Sequence, residues 1–289
     1  MEESILTAVF LPLALAFIMV GMGLSLTPGD FRRVVAYPKA VTIGIICQLI
    51  LLPLVGFLLV SLFQLQGALA VGLMIIAACP GGATSNLIAH LSRGDTALSI
   101  SLTAVSSTMA VVTIPLIVNF SIGYFGEEGS VMLPVVKTIA QIFVITLIPV
   151  ATGMVIRKKR PGLADAADKP VRWMSAVFLA LIIVAAMIKE RENLVAFFRL
   201  MGPATLALNL GMLLVGYLLA TVFMLSKKQR ITISVESGIQ NGTLGIFVAA
   251  TLLKNSVMTI PSAIYSLIMF MTAVLVIGLS SKLNPKSGG

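Results

Sequence analysis

Residues 40–92 contain no Asp, Glu, Lys or Arg. Water cannot cover a stretch that apolar, and it is long enough for two membrane-spanning helices of about 20 residues each. The polar turn Gln64-Leu65-Gln66-Gly67 divides it. Elsewhere the chain agrees: of 289 residues, 58% are hydrophobic and 11% charged, against about 25% charged in a soluble domain. The fold class is therefore an all-α polytopic membrane protein. Cys47 and Cys79 both lie inside apolar runs, as small buried hydrophobes and neither a disulfide framework nor a zinc site.

Nine apolar runs have spanning length, approximately 5–26, 38–63, 67–92, 96–121, 131–156, 172–189, 203–225, 229–252 and 257–280. The start Met1-Glu2-Glu3 has the wrong charge for a signal peptide, so the first run is expected to be a true span. Lys and Arg set orientation. With the N-terminus outside and the C-terminus cytoplasmic, the inner loops take Arg32, Arg33, Lys39, Arg93, Arg157-Lys158-Lys159-Arg160, Lys169, Arg172, Lys227, Lys228, Arg230, Lys282 and Lys286. Only Lys189, Arg191, Arg199 and Lys254 fall outside, with the acids Glu127, Glu128, Glu190 and Glu192. The net charge of +9 thus reports membrane topology and not nucleic-acid binding.

Two runs are interrupted. The third contains Cys79-Pro80-Gly81-Gly82-Ala83-Thr84-Ser85-Asn86; an interior proline removes a helical hydrogen bond, and the glycines loosen the chain further. The eighth contains Glu236-Ser237-Gly238-Ile239-Gln240-Asn241-Gly242, with two glycines but no proline. The two runs cross the bilayer in opposite directions and lie five spans apart. A five-span unit repeated once must invert, so nine spans are expected as two such units with the first helix absent. Paired broken helices in inverted halves point to the binding site of a secondary transporter.

Glu236 is the only acid deep in an apolar run. A charge at membrane depth costs roughly 3 kcal/mol or more, and such a residue is usually paired and functional. Around the breaks the polar groups are oxygen-bearing: Thr84, Ser85, Asn86, Ser237, Gln240 and Asn241, with Ser99 and Thr103 on one face of the fourth span and Gln48 alone in the second. Neutral oxygens with one carboxylate suit a hard cation, and their number favours sodium over a proton. Half-helix N-termini nearby favour an anionic substrate, which Asn241, Thr84 and Asn86 could orient. His90 is at the inner end of the third span, and Lys137 either contacts the anion or snorkels to the interface.

These segments resemble the bile acid:sodium symporter family. The likeness rests on Gly21-Met22-Gly23-Leu24-Ser25-Leu26 with Pro28 and Asp30-Phe31, on Cys79-Pro80-Gly81-Gly82 with Ser85-Asn86, on Arg93-Gly94-Asp95 with Ala97-Leu98-Ser99 and Thr103, and on Glu236-Ser237-Gly238-Ile239-Gln240-Asn241. The resemblance implies a panel domain (1–27 and 131–190) and a core domain (38–121 and 203–280), with broken helices 67–92 and 229–252 crossing in the core. It implies two sodium sites, one of Ser85, Asn86, Ser99, Thr103 and Glu236, the other of Gln48, Glu236, Ser237, Ile239 and Gln240. Asn241, Thr84, Ala83 and Gly242 would line the substrate cavity. The nine-span form resembles that of the vertebrate carriers, and the Ala83-Thr84 order is the reverse of the Thr-Ala of some bacterial members.

The expected function is sodium-coupled symport of a small or amphipathic organic anion, bile-acid-like or pantoate-like, by alternating access. The expected location is a bacterial inner (plasma) membrane, with lipid around it. Three other readings differ in sequence terms. An ion channel needs a continuous polar lining, an intramembrane enzyme needs paired acids or a nucleophile with its base, and a related proton-coupled or efflux carrier has no need of the oxygen-rich constellation.

Overall fold

The structure is a computed structural model and describes residues 9–127, 129 and 131–283. Expectations resting on Glu2, Glu3, residues 5–8, Glu128 and Lys286, and on the side chains of Arg33 and Lys282, lie outside the described residues. All regular structure within them is helical. The chain opens with α1 (Leu11–Leu24) and the short α2 (Pro28–Ala36). Then α3 (Pro38–Ile46) passes through a π-helical turn, Cys47–Leu51, into α4 (Leu52–Leu62). Next come α5 (Gly67–Ala78), α6 (Ala83–Leu91) and the long α7 (Thr96–Phe125). A second π-turn, Phe143–Leu147, joins α8 (Val135–Ile142) to α9 (Ile148–Lys159). They are followed by α10 (Pro161–Lys189), α11 (Leu194–Val222), α12 (Lys227–Gly238) and α13 (Gly242–Phe247). A third π-turn, Val248–Leu252, precedes α14 (Ile260–Leu283).

Among the described residues six continuous helices are long and apolar enough to cross a membrane, and seven if the bent pair α5–α6, which turns through 61°, counts as one. The run expected at 172–189 is the second part of α10, which starts eleven residues earlier. Its charged first turns hold together through the i, i+4 pair Asp168–Arg172 (2.9 Å) and the Arg157–Asp165 bridge from α9 (2.5 Å).

The side chains are sorted for lipid. On α7 the buried face carries Ser99, Ser101, Thr103, Ser106 and Ser107, and the exposed face Met109, Val112, Leu116 and Phe120. On α11 the exposed stripe is Leu206, Leu210, Leu214, Leu218 and Val222, spaced one helical turn apart. A soluble helix has the opposite polarity. This is an integral membrane protein.

Neighbour relations follow from small residues. α1 lies along α9 and α10, and Gly23 meets Gly153 with main chains touching, so a β-carbon on either would overlap the other helix. α12 lies along α11, α5 along α4 and α7, and α14 along both α11 and α5. Every residue of 70–82 and 231–240, on the way into and through the two breaks, is buried.

Two turns recur. Phe63-Gln64-Leu65 ends α4 and Phe223-Met224-Leu225 ends α11, each with its middle residue left-handed (φ 52° and 53°). The closing bonds also match: Leu65 N–H to Val60 O at 2.9 Å, and Leu225 N–H to Ala220 O at 2.9 Å. After each broken segment comes another left-handed residue, Arg93 (φ 57°) and Lys254 (φ 53°). Gly94 N–H then reaches Ala89 O (2.8 Å), and Asn255 N–H reaches Ala249 O (3.0 Å). These are Schellman-type helix ends. The second interval is one residue longer, which the π-turn Val248–Leu252 absorbs.

Candidate functional site

The two breaks touch. Main chain leaves helical geometry at Cys79 (ψ 142°) and at Ile239 (ψ 110°), and Asn241 N–H donates to Pro80 O at 2.8 Å. Freed groups are satisfied locally, as burial requires. Ser85 Oγ donates to Gly82 O (2.8 Å), and Asn241 Oδ1 caps α13 by accepting from Leu244 N–H (3.0 Å). Gly238 O accepts from Asn209 Nδ2 on α11 and Tyr265 Oη on α14, both at 2.7 Å. The second interruption, for which the sequence offers no proline, is thus built by an N-cap on one side and a clamped carbonyl on the other.

Glu236, on the last turns of α12, is 3% exposed. Its Oε1 is 2.5 Å from Ser99 Oγ and its Oε2 is 2.9 Å from Thr103 Oγ1. The same hydroxyls lie 2.9 and 3.0 Å from Asn86 Oδ1. Two hydroxyls supply two protons for four oxygen–oxygen contacts. A cation among these oxygens, a proton on Glu236 or an Asn86 amide turned to donate would each relieve the shortfall; the turned amide leaves its oxygen where Nδ2 now stands, buried and without a partner. Among the described residues no ion pair involves Glu236. Gly81 makes room for the carboxylate, since a β-carbon there would lie 2.7 Å from Glu236 Oε2 and 2.8 Å from Ser85 Oγ.

A second oxygen cluster adjoins the first. The π-turn Cys47–Leu51 presents Gln48, which is buried. Its amide nitrogen faces Gln240 Oε1 at 2.8 Å. Turned round, the amide would donate to Glu236 O and accept from Gly81 N–H, both at 2.7 Å, but its oxygen would then stand 2.8 Å from Gln240 Oε1. The Gln240 nitrogen is already committed to Ser237 O at 2.7 Å. Neither orientation satisfies every group, so this donor set has spare acceptors of the hard-oxygen kind that suits an alkali cation. Ser237 offers its carbonyl here; its hydroxyl donates to Ile233 O (2.7 Å). Ile239 lies in the break beside it.

On the far side of the crossing is a cavity of about 260 Å³ between α1, α6, α10, α13 and α14. Ala83, Thr84, Asn241 and Gly242 line it, together with Asn86 and Gln240. The open side of the Gly242 Cα is filled by Ser266 of α14, so the glycine serves close helix packing as well as the cavity wall. His90 lines the cavity mouth, its Nδ1 3.3 Å from Thr96 Oγ1, and is no part of the carboxylate cluster. Lys137 is exposed and does not line the cavity.

The chain matches the family described as "Sodium Bile acid symporter family" over residues 12–197. The chain belongs to the sodium bile acid symporter family. An uncharacterized sodium-dependent transporter, YocS, of Bacillus subtilis (strain 168) is 30% identical over 263 residues, 89% of this chain and 78% of that protein. The human ileal sodium/bile acid cotransporter is 30% identical over 241 residues, 83% of this chain and 69% of that protein. The probable chloroplastic sodium/metabolite cotransporter BASS2 of Oryza sativa subsp. japonica is 29% identical over 251 residues, 86% of this chain but 58% of that longer protein. This symporter-family member is a transporter of sodium-dependent type and not an enzyme.

The structure places Asn86, Ser99, Thr103 and Glu236 in one oxygen cluster and Gln48, Ser237 and Gln240 in a second beside it, with Ile239 in the break. Asn209 and Tyr265 are not among the residues expected from the sequence. Asn209 was open to notice, as a lone amide in the apolar run 203–225. Tyr265 was not, because its role is visible only where its hydroxyl meets Gly238 O.

Proposed function

We propose that this protein is a sodium-coupled symporter of an organic anion, working by alternating access in a bacterial inner membrane. The observation that carries the reading is the proton deficit around Glu236: a dry carboxylate and the side chains of Ser99, Thr103 and Asn86 make four oxygen–oxygen contacts with two hydroxyl protons. One sodium is assigned to Ser85, Asn86, Ser99, Thr103 and Glu236, and a second to Gln48, Glu236, Ser237, Ile239 and Gln240. The anion is assigned to the cavity faced by Ala83, Thr84, Asn241 and Gly242.

The broken segments sit back to back, with cations behind the crossing and the anion in front. Sodium entering behind draws Glu236, Asn86 and Gln240 into one arrangement. That arrangement fixes the break residues Gly82 and Asn241, whose other faces line the cavity. Coupling is then a shared geometry: cations and anion each stabilise the conformation that binds the other. We assign α1 and α8–α10 to a panel and the remaining spanning helices to a core that moves against it. The matched turns at Gln64 and Met224, and at Arg93 and Lys254, support an inverted repeat. Nine spans result when α1 and the α12–α13 segment are counted. The bias of Arg and Lys supports a cavity mouth, at His90 and Thr96, on the cytoplasmic side.

The rival is proton coupling, in which the buried Glu236 carboxyl takes up a proton in place of a cation. Uptake into proteoliposomes separates the two. An inward sodium gradient is expected to drive accumulation of at least one anion from a panel of taurocholate, cholate and pantoate, at constant pH. Accumulation that follows a pH gradient and ignores sodium would transfer the assignment to the rival.

A further inference from the structure

The cavity in front of the crossing carries one permanently charged side chain, and it is basic. Arg172 of α10 lines the wall opposite α6, and no carboxylate is among the lining residues. Around the cavity's middle the walls are apolar, with Ile18, Met19, Leu179 and Phe270. Thr84 and Asn241 line it at the crossing, and His90 and Arg172, also lining residues, are exposed and mark its mouth, with Ser25 beside them. From Gly82 to His90 the α6 helix rises by about 12 Å. The site therefore has hydrogen-bonding groups at one end, an apolar waist, and a guanidinium at the other end.

Arg172 is held on one edge only. Asp168, one turn earlier on α10, accepts from Nε (3.0 Å) and from Nη2 (2.9 Å). Among the described residues the Nη1 edge of the guanidinium has no protein acceptor. A guanidinium can take two carboxylates or sulfonates, one on each edge. Asp168 is also the groove wall beside the mouth, with Lys169 and Trp173, so an acid leaving the cavity passes a resident competitor for the same cation.

We propose that Arg172 is the specificity-determining counter-charge of the transported anion, and that the substrate is an elongated amphipath whose acid group sits at the mouth while its distal hydroxyl or carbonyl reaches Thr84 and Asn241. Asp168 sets the strength of that contact by holding one edge of the guanidinium and speeds release on the cytoplasmic side. This rests on the sodium-symport reading above and adds to it which end of the substrate faces which wall.

The test is sodium-driven uptake of taurocholate and of pantoate in proteoliposomes by the wild type, Arg172→Gln and Asp168→Asn, each first checked for an unchanged sodium-induced thermal shift without substrate. For taurocholate, Arg172→Gln is expected to raise KM about tenfold or more, the loss of one charge-assisted contact. Asp168→Asn is expected to lower KM and slow efflux, because the freed guanidinium holds the acid more tightly. Arg172→Gln with the wild-type taurocholate KM, Asp168→Asn with KM unchanged or raised, or wild-type uptake confined to pantoate overturns this proposal and leaves the symport reading standing. No sodium-driven uptake of any anion by the wild type overturns both. If Arg172→Gln loses the thermal shift, Arg172→Lys and Asp168→Asn decide: the lysine variant, which keeps charge but not the fork, is expected to raise KM less than tenfold.

Discussion

At single residues, what matters for cation binding is which buried oxygens lack a donor. Glu236 was legible in the sequence because a lone acid in an apolar run is rare, and Ser99 and Thr103 because their spacing of four puts both hydroxyls on one helical face. In the structure both reach the carboxylate, at 2.5 and 2.9 Å. Gln48 supplies a sharper prediction. It faces Gln240 but not the Ser99–Thr103 pair, so Gln48→Ala should weaken one cation site and spare the other. Measured as the sodium dependence of uptake, the variant's cooperativity should fall towards that of a single site while sodium dependence itself persists; wild-type cooperativity would remove Gln48 from the ligand set. Asn209 and Tyr265 escaped notice because each acts on a carbonyl far away in sequence, Gly238 O, and no local pattern marks a residue whose task is to clamp another helix.

At the scale of elements, the first break is written in the chain and the second is not. Pro80 and two glycines cannot continue a helix, whereas Gly238-Ile239-Gln240-Asn241 departs from helical geometry only because Asn241 caps a new helix and Gly238 O is held from outside. The π-turns were also illegible. The one at Cys47–Leu51 inserts a residue and so rotates Gln48 relative to the helix before it, a choice made by packing against α12. Glycines at the crossing are fixed by what stands opposite. Gly81→Ala places a methyl group against the Glu236 carboxylate and the Ser85 hydroxyl. Overpacking of this kind costs about 1–3 kcal/mol, and the displaced groups are the cation ligands. The variant should unfold at lower temperature and lose most of its sodium-induced thermal shift; a full shift at wild-type sodium concentrations would show that the glycine is not there for the carboxylate.

Across the whole molecule the outer surface is rich in large apolar side chains and the interior combines an apolar core with buried hydroxyls and amides, so the protein is built for lipid. The apolar runs and the bias of Lys and Arg conveyed this architecture without a structure. They did not convey the extent of α10, whose charged first turns lie beyond the apolar run, nor the matched turns at Gln64 and Met224, because Phe-Gln-Leu and Phe-Met-Leu share too few letters to stand out until their dihedral angles coincide. In the proposed cycle, cations and Glu236 hold the two breaks in one geometry before any anion arrives. Equilibrium binding of radioactive sodium to purified protein, without substrate, tests it most directly. The wild type should bind sodium saturably, and Glu236→Gln, with its fold verified by circular dichroism, should bind none at the same concentrations. Equal sodium binding by the two proteins would contradict the account.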